Sequence, residues 1–175
     1  MRRRPFLLGL LALLSSALVA GAAVPAGAGA KPPPVPDTIA VSDPYKVVLD
    51  VEGKGVQIYD CTAGAWTLRE PAAVLYGRGH RPVGIHFRGP TFESFDGSSV
   101  VGALDGRADA PDPTRDIPWL RLKAVSTQGD GVLAGVDFIQ RLETRGGVAP
   151  TGACDPASDA TLAVPYRARY VFYAD

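Results

Sequence analysis

Hydrophobic and polar positions alternate along most of this chain with a period of two. Between Ile117 and Val125, Leu120, Leu122 and Ala124 fall on one parity and Arg121 and Lys123 on the other, the pattern of a strand with one face on a core and one in water. Tyr166 to Tyr173 interleaves aromatics with Arg167 and Arg169 in the same way. Upstream, Lys46–Val51 reads as a strand that Gly53-Lys54-Gly55 turns into a partner, Val56–Cys61. Ala65–Leu68 and Ala72–Tyr76 read as two separate short runs, followed after Gly77-Arg78-Gly79 by Arg81–Phe87. Gly89-Pro90 and Asp96-Gly97 are turn signals around Phe92-Glu93-Ser94, and Ser99–Ala103 follows. Residues 104–116 repeat Gly, Asp and Pro without an apolar period and are expected to form a long exposed loop. Val132–Leu142 is the longest strand candidate, and residues 143–160 are again rich in Gly, Pro and Asp. No 11-residue stretch carries a helical period. The expected fold is all-β: an antiparallel sandwich or barrel of about 8–10 short strands.

The first thirty residues change that picture by placing it outside the cytoplasm. Arg2-Arg3-Arg4 precedes an apolar run from Leu7 to Val19, and Ala28-Gly29-Ala30 offers a small-residue cleavage site before Lys31-Pro32-Pro33-Pro34. Residues 1–30 are therefore expected to be a signal peptide, 31–39 a Pro-rich leader and 40–175 a single β domain. Cleavage after Ala22 is an alternative, and Arg3-Arg4-Pro5-Phe6-Leu7 leaves twin-arginine and general export both open. The apolar stretch falls short of the ~20 residues of a spanning helix, so no membrane insertion is expected after cleavage. The localisation expected is secreted, periplasmic or extracellular.

Without residues 1–30 the chain has 145 residues with 15 basic against 18 acidic side chains, a net charge of −3. Signs are scattered, which makes no electrostatic case for nucleic acid. High Gly and Pro, 20 and 16 residues, argue for many turns and against a helical bundle. Two cysteines in an oxidising compartment allow one intramolecular pairing, Cys61 with Cys154. That bond would tie an early strand to the loop before the last one. No CxxC or neighbouring His supports a redox or zinc role for the pair.

Candidate chemistry centres on His86, since His80 is the other histidine and is expected in the turn Gly79-His80-Arg81. With Glu93 and Asp96 close behind, His86 could hold a divalent metal or pair as acid and base. The simpler reading has it on a strand, donating to a backbone carbonyl, with no second His to complete a coordination shell. Ser94, Ser98 and Ser99 lack a G-x-S-x-G elbow. Arg145-Gly146-Gly147 is either a plain loop or an anion-binding nest. Trp66, Phe92, Trp119, Tyr166, Tyr170 and Tyr173 are either core aromatics or a stacking platform for flat ligands such as sugars.

Several segments are recognisable as a set: Gly55-Val-Gln-Ile-Tyr-Asp-Cys61, Gly84-Ile-His-Phe-Arg-Gly-Pro-Thr-Phe-Glu93, Asp96-Gly-Ser98, Ile117-Pro-Trp-Leu120, Ile139-Gln-Arg141 with Gly146-Gly147, Val164-Pro-Tyr166 and Tyr170-Val-Phe-Tyr173. Over about residues 40–173 they resemble the secreted bacterial and fungal family called domain of unknown function 3455. The resemblance implies secretion and a β-rich fold, and it implies no reaction. Phe92 stands where that family usually has Trp, which keeps the ring and loses an indole donor.

The expected function is non-catalytic binding of an unknown small molecule or glycan, with no cofactor, lined by His86, Phe92, Glu93 and Trp119. The alternatives are a hydrolase or metal enzyme built on His86, Glu93 and Asp96, and a structural cell-envelope protein without a small-molecule site.

Overall fold

A computed structural model describes residues 33–158 and 160–175. The expected signal peptide, residues 1–30, lies outside the described residues. Eight antiparallel strands close on themselves as an up-and-down barrel: β1 Lys46–Thr62, β2 Ala65–Tyr76, β3 Pro82–Phe87, β4 Thr91–Ser94, β5 Ser99–Ala108, β6 Trp119–Gln128, β7 Phe138–Gly146 and β8 Thr161–Ala174. Each strand pairs with its neighbours in sequence, and β1 pairs with β8 from Lys46↔Ala174 to Asp60↔Thr161. Eight strands leave an interior that side chains can fill. The open choice between sandwich and barrel is thereby decided for the barrel.

Several sequence expectations change for physical reasons. Gly53 and Gly55 do not turn the chain: β1 runs straight through them. They are needed for space, because a Cβ on Gly53 would strike the Tyr170 ring and one on Gly55 the backbone of Ala72. The runs before and after Pro71 form one strand, β2, which tolerates the proline because β3 pairs with β2 only from Ala73↔His86 onward. Leu104–Ala108, expected in a loop, extends β5 by pairing with β6 through a bulge between Leu104 and Gly106. Val132–Asp137, expected in the longest strand, instead folds into turns, and β7 starts at Phe138.

Those turns plug the base of the barrel. Leu133 and Val136 enter the core cluster beside Val100, Ile139 and Phe172. Asp96, in the β4–β5 turn, accepts from the Val132 amide at 2.8 Å and from the Ser98 amide and hydroxyl at 2.9 and 2.6 Å. The Ser98 hydroxyl in turn accepts from Leu133 N at 3.0 Å. These donors, the Ser98 hydroxyl first, hold the Asp96 carboxyl at about 2, below its ordinary 3.8.

A second layer covers one outer face. The segment before β1 carries a 3-10 turn, Asp37–Ile39, whose Ile39 is fully buried against outward-facing Leu142, Val171 and Tyr173. Gln140 anchors it, donating Nε2 to Ile39 O at 2.6 Å and accepting from Tyr173 Oη at 2.6 Å. This cover explains why β8 is buried at every position from Tyr170 to Tyr173. At the opposite end from the plug, Cys61 and Cys154 are bonded, 5.8 Å apart at Cα and 93 residues apart in sequence.

Two outcomes follow from this architecture. Ser98→Ala leaves the Leu133 amide without its acceptor and should cost about 1–3 kcal/mol in urea unfolding. Reducing the Cys61–Cys154 bond should lower stability by about 4–5 kcal/mol in the chain-entropy model, read as a shift in denaturation midpoint with and without reductant.

Candidate functional site

The mouth of the barrel is uneven, and that creates a site. β4 spans only Thr91–Ser94, and its ladder with β5 ends at Thr91↔Val101. The β3–β4 hairpin therefore stops short while β2 and β5 continue past it. The notch exposes inward side chains that a full wall would cover. Behind it lies a cavity of about 220 Å³, bounded by Leu68, Arg69, Glu70, Pro71, Gly89 and Pro90 at the rim and by Gln57, His86, Phe92, Leu120, Leu122, Arg141 and Tyr170 within. Leu68 pairs with Tyr59, hence shares its inward face, yet is 49% exposed. A wider depression of about 900 Å³ crosses the outer wall. Its charged lining includes Arg169, which Asp50 and Glu143 already hold.

His86 forms the floor with Phe92. Their strands pair at this position, and the two rings stack 4.0 Å apart with planes 3° from parallel. Tyr170 meets both rings edge-on. His86 Nδ1 lies 2.9 Å from Thr91 O. A carbonyl only accepts, so Nδ1 carries the proton and Nε2 is an acceptor. Burial drives the His86 pKa down to about 4; the Thr91 bond opposes that shift and the Arg141 charge adds to it. At neutral pH the ring is an uncharged imidazole.

Arg141 brings a guanidinium into the same lumen. It stands on β7 opposite Leu120 and Tyr170, two inward residues. Its Nε and Nη2 both donate to Pro118 O, at 3.2 and 2.9 Å. Among the described residues no carboxylate lies within 4.0 Å of it. Gln57, on β1, is 1% exposed and its Nε2 has no acceptor. Tyr166 and Tyr170 share a hydrogen bond at 3.0 Å between their hydroxyls. Burial pushes both phenols up, so both stay protonated.

Residues 42–174 match the family model described as Protein of unknown function (DUF3455). The chain belongs to this family. No curated protein and no solved structure matches it.

In this DUF3455 protein the residues singled out from sequence are dispersed. His86 and Phe92 meet in the lumen. Glu93 follows Phe92 on β4 and is exposed, across the wall from His86. Asp96 is committed to the base plug, at the other end of the barrel. Trp119 faces outward and packs beside the covered cluster of Ile39 and Leu142. Among the described residues no three His, Cys, Asp or Glu side chains converge as a metal site. The nest at Gly146 is filled from within: its amide donates to Asp116 Oδ1 at 2.7 Å, and Arg145 donates to Asp116 Oδ2 at 3.1 Å. Tyr166, Tyr170 and Tyr173 are buried, and so supply core rather than an exposed platform.

Sequence reasoning passed over Gln57, Arg141 and Leu122. The signal for Arg141 was its parity: it shares that of Ile139, placing a cation on the apolar face of a strand. Leu122 was visible as a core position, though not as a lumen wall.

The neutral His86 has a pH consequence. Its folded-state value of about 4 lies below the ordinary 6.5. The unfolded chain therefore binds more protons between these values, and stability falls as pH drops from about 6.5 to 4. The loss should total on the order of 3 kcal/mol, read by denaturant unfolding across that range. The His86 share of the slope should vanish in His86→Phe.

Proposed function

We propose that this protein is an exported binding barrel that holds a small molecule non-covalently in its lumen. The observation that carries the reading is the notched cavity, with Leu68 exposed at its rim and apolar Leu120, Leu122 and Phe92 within. Ligand pockets are typically apolar concavities with a few placed polar groups, and Gln57, His86 and Arg141 supply those here. The wall around them is rigid, built from strands paired on both sides over most of their length and tied at the mouth by the disulfide. Such a scaffold holds the cavity open at little conformational cost on binding.

Binding is favoured over catalysis by the condition of His86. Its Nδ1 is spent on Thr91 O, and no hydroxyl, thiol or carboxylate hydrogen-bonds its ring among the described residues. A small molecule is favoured over an extended glycan by size. At about 30 Å³ per water in the liquid, the roughly 220 Å³ cavity equals about seven waters. Export is supported by the Arg-led apolar segment at the start of the chain and by a bonded cysteine pair suited to an oxidising compartment.

The test is a fragment screen by ligand-observed NMR on the protein lacking residues 1–30, with Leu120→Trp as the control. The indole would fill the cavity from β6. Hits that bind the parent protein should weaken at least tenfold in the variant while its unfolding remains cooperative. Fragments that bind both proteins equally would place the site elsewhere and defeat the proposal.

A further inference from the structure

The charge balance inside the lumen says what kind of molecule it suits. This step rests on the reading of the lumen as a binding site and adds the chemistry of the bound group. Of the ten other arginines among the described residues, Arg69, Arg88, Arg115, Arg121, Arg145 and Arg169 each have a carboxylate within 3.3 Å, while Arg78, Arg81, Arg107 and Arg167 have none and lie outside this cavity. Arg141, the arginine turned into the barrel, has none among the described residues. Its positive charge is met by neutral groups, the carbonyl of Pro118 and the hydroxyl of Tyr170. A guanidinium has five N–H donors, and two are used on Pro118 O.

A second, independent observation points into the same space. Gln57 Nε2 is buried, lines the cavity and has no acceptor. Buried donors without partners are rare in folded proteins, and each calls for an explanation. Tyr166 and Tyr170 stand beside both groups, and their mutual bond uses one of the two hydroxyl protons. Unspent donors around one unpaired cation are what an anion requires.

The surroundings narrow the anion further. The rim arginine Arg69 and the nearby Arg88 are already engaged with Asp60 and Glu70, so one net charge is available, which suits a monoanion. The guanidinium fork matches the two oxygens of a carboxylate. Phe92, Leu120 and Leu122 offer the rest of the ligand an apolar wall. We propose that Arg141 and Gln57 bind the carboxylate of a small organic acid, whose apolar body lies against Phe92, Leu120 and Leu122. A body of benzoate or hexanoate size suits the roughly 220 Å³ available.

Calorimetric titration at pH 7 with benzoate and hexanoate, against the near-isosteric neutral benzamide and hexanamide, tests this. The acids should bind at least tenfold more tightly than the amides. Arg141→Met should bring each acid down to its amide, and Gln57→Leu should weaken the acids several-fold while leaving the amides within twofold. Arg141→Met removes an unpaired charge, so its melting temperature should equal or exceed that of the parent. If that variant does not fold, Gln57→Leu and the acid-to-amide ratio of the unaltered protein still decide the matter. Acids and amides bound equally would overturn the carboxylate assignment and leave the lumen reading standing. Binding of neither would overturn the carboxylate assignment, and the fragment screen would decide the lumen reading on its own. An acid preference that survives both substitutions in folded protein would locate the anion elsewhere and overturn the proposal.

Discussion

β1 and β8 lie at opposite ends of the described chain yet pair in register from Lys46↔Ala174 to Asp60↔Thr161, and the rest of the molecule depends on that seam. Closure removes the two free edges that an open eight-stranded meander would expose. It also turns one face of every strand inward, into a space that must be filled by side chains. Closure is sterically possible because β1 places Gly53 and Gly55 where β8 and β2 press closest. Large rings from β8 and β4, above all Tyr170, Phe172 and Phe92, then occupy the volume those glycines leave.

The two ends of the barrel solve the filling problem differently. At the base, a loop folds back and inserts Leu133 and Val136, pinned by the Asp96–Ser98 hydrogen bonds. Nothing polar is left over in that network. Toward the mouth the inward positions are Gln57, His86, Arg141 and Tyr166, and the short β3–β4 hairpin leaves the wall incomplete beside them. Polar groups in a low-dielectric interior are costly unless they are satisfied. Their concentration where the wall is open, with the apolar Leu133–Val136 plug at the opposite end, makes the two ends of the lumen chemically unlike.

Much of the fold was legible locally. Alternation marked β6 and β8, and the turn signals at Gly89-Pro90 and Asp96-Gly97 bracket β4 as expected. The errors share one cause: glycine, proline and short apolar runs have a meaning that depends on neighbours far away in sequence. Gly53-Lys54-Gly55 has the composition of a turn, but its glycines answer a steric demand set by Tyr170 and Ala72. Val132–Leu142 has the composition of a strand, but Asp96 captures the Val132 amide and diverts its first half into the plug. Of the candidate site, His86 and Phe92 were visible; Glu93 belongs to the opposite side of the wall by the strand's own parity.

Period-two patterning and turn residues determined by themselves that this chain makes an antiparallel β fold, because side-chain direction along a strand is a local property. The cysteine pair likewise admitted one intramolecular bond. Only the tertiary structure decided that the sheet closes, that Ile39 and its segment seal the outer face of β8, and that Arg141 and Gln57 share one lumen. Those outcomes depend on contacts between residues a hundred or more positions apart, as in the Gln140–Ile39 bond and the Lys46↔Ala174 pair, and no local pattern encodes which strands will meet.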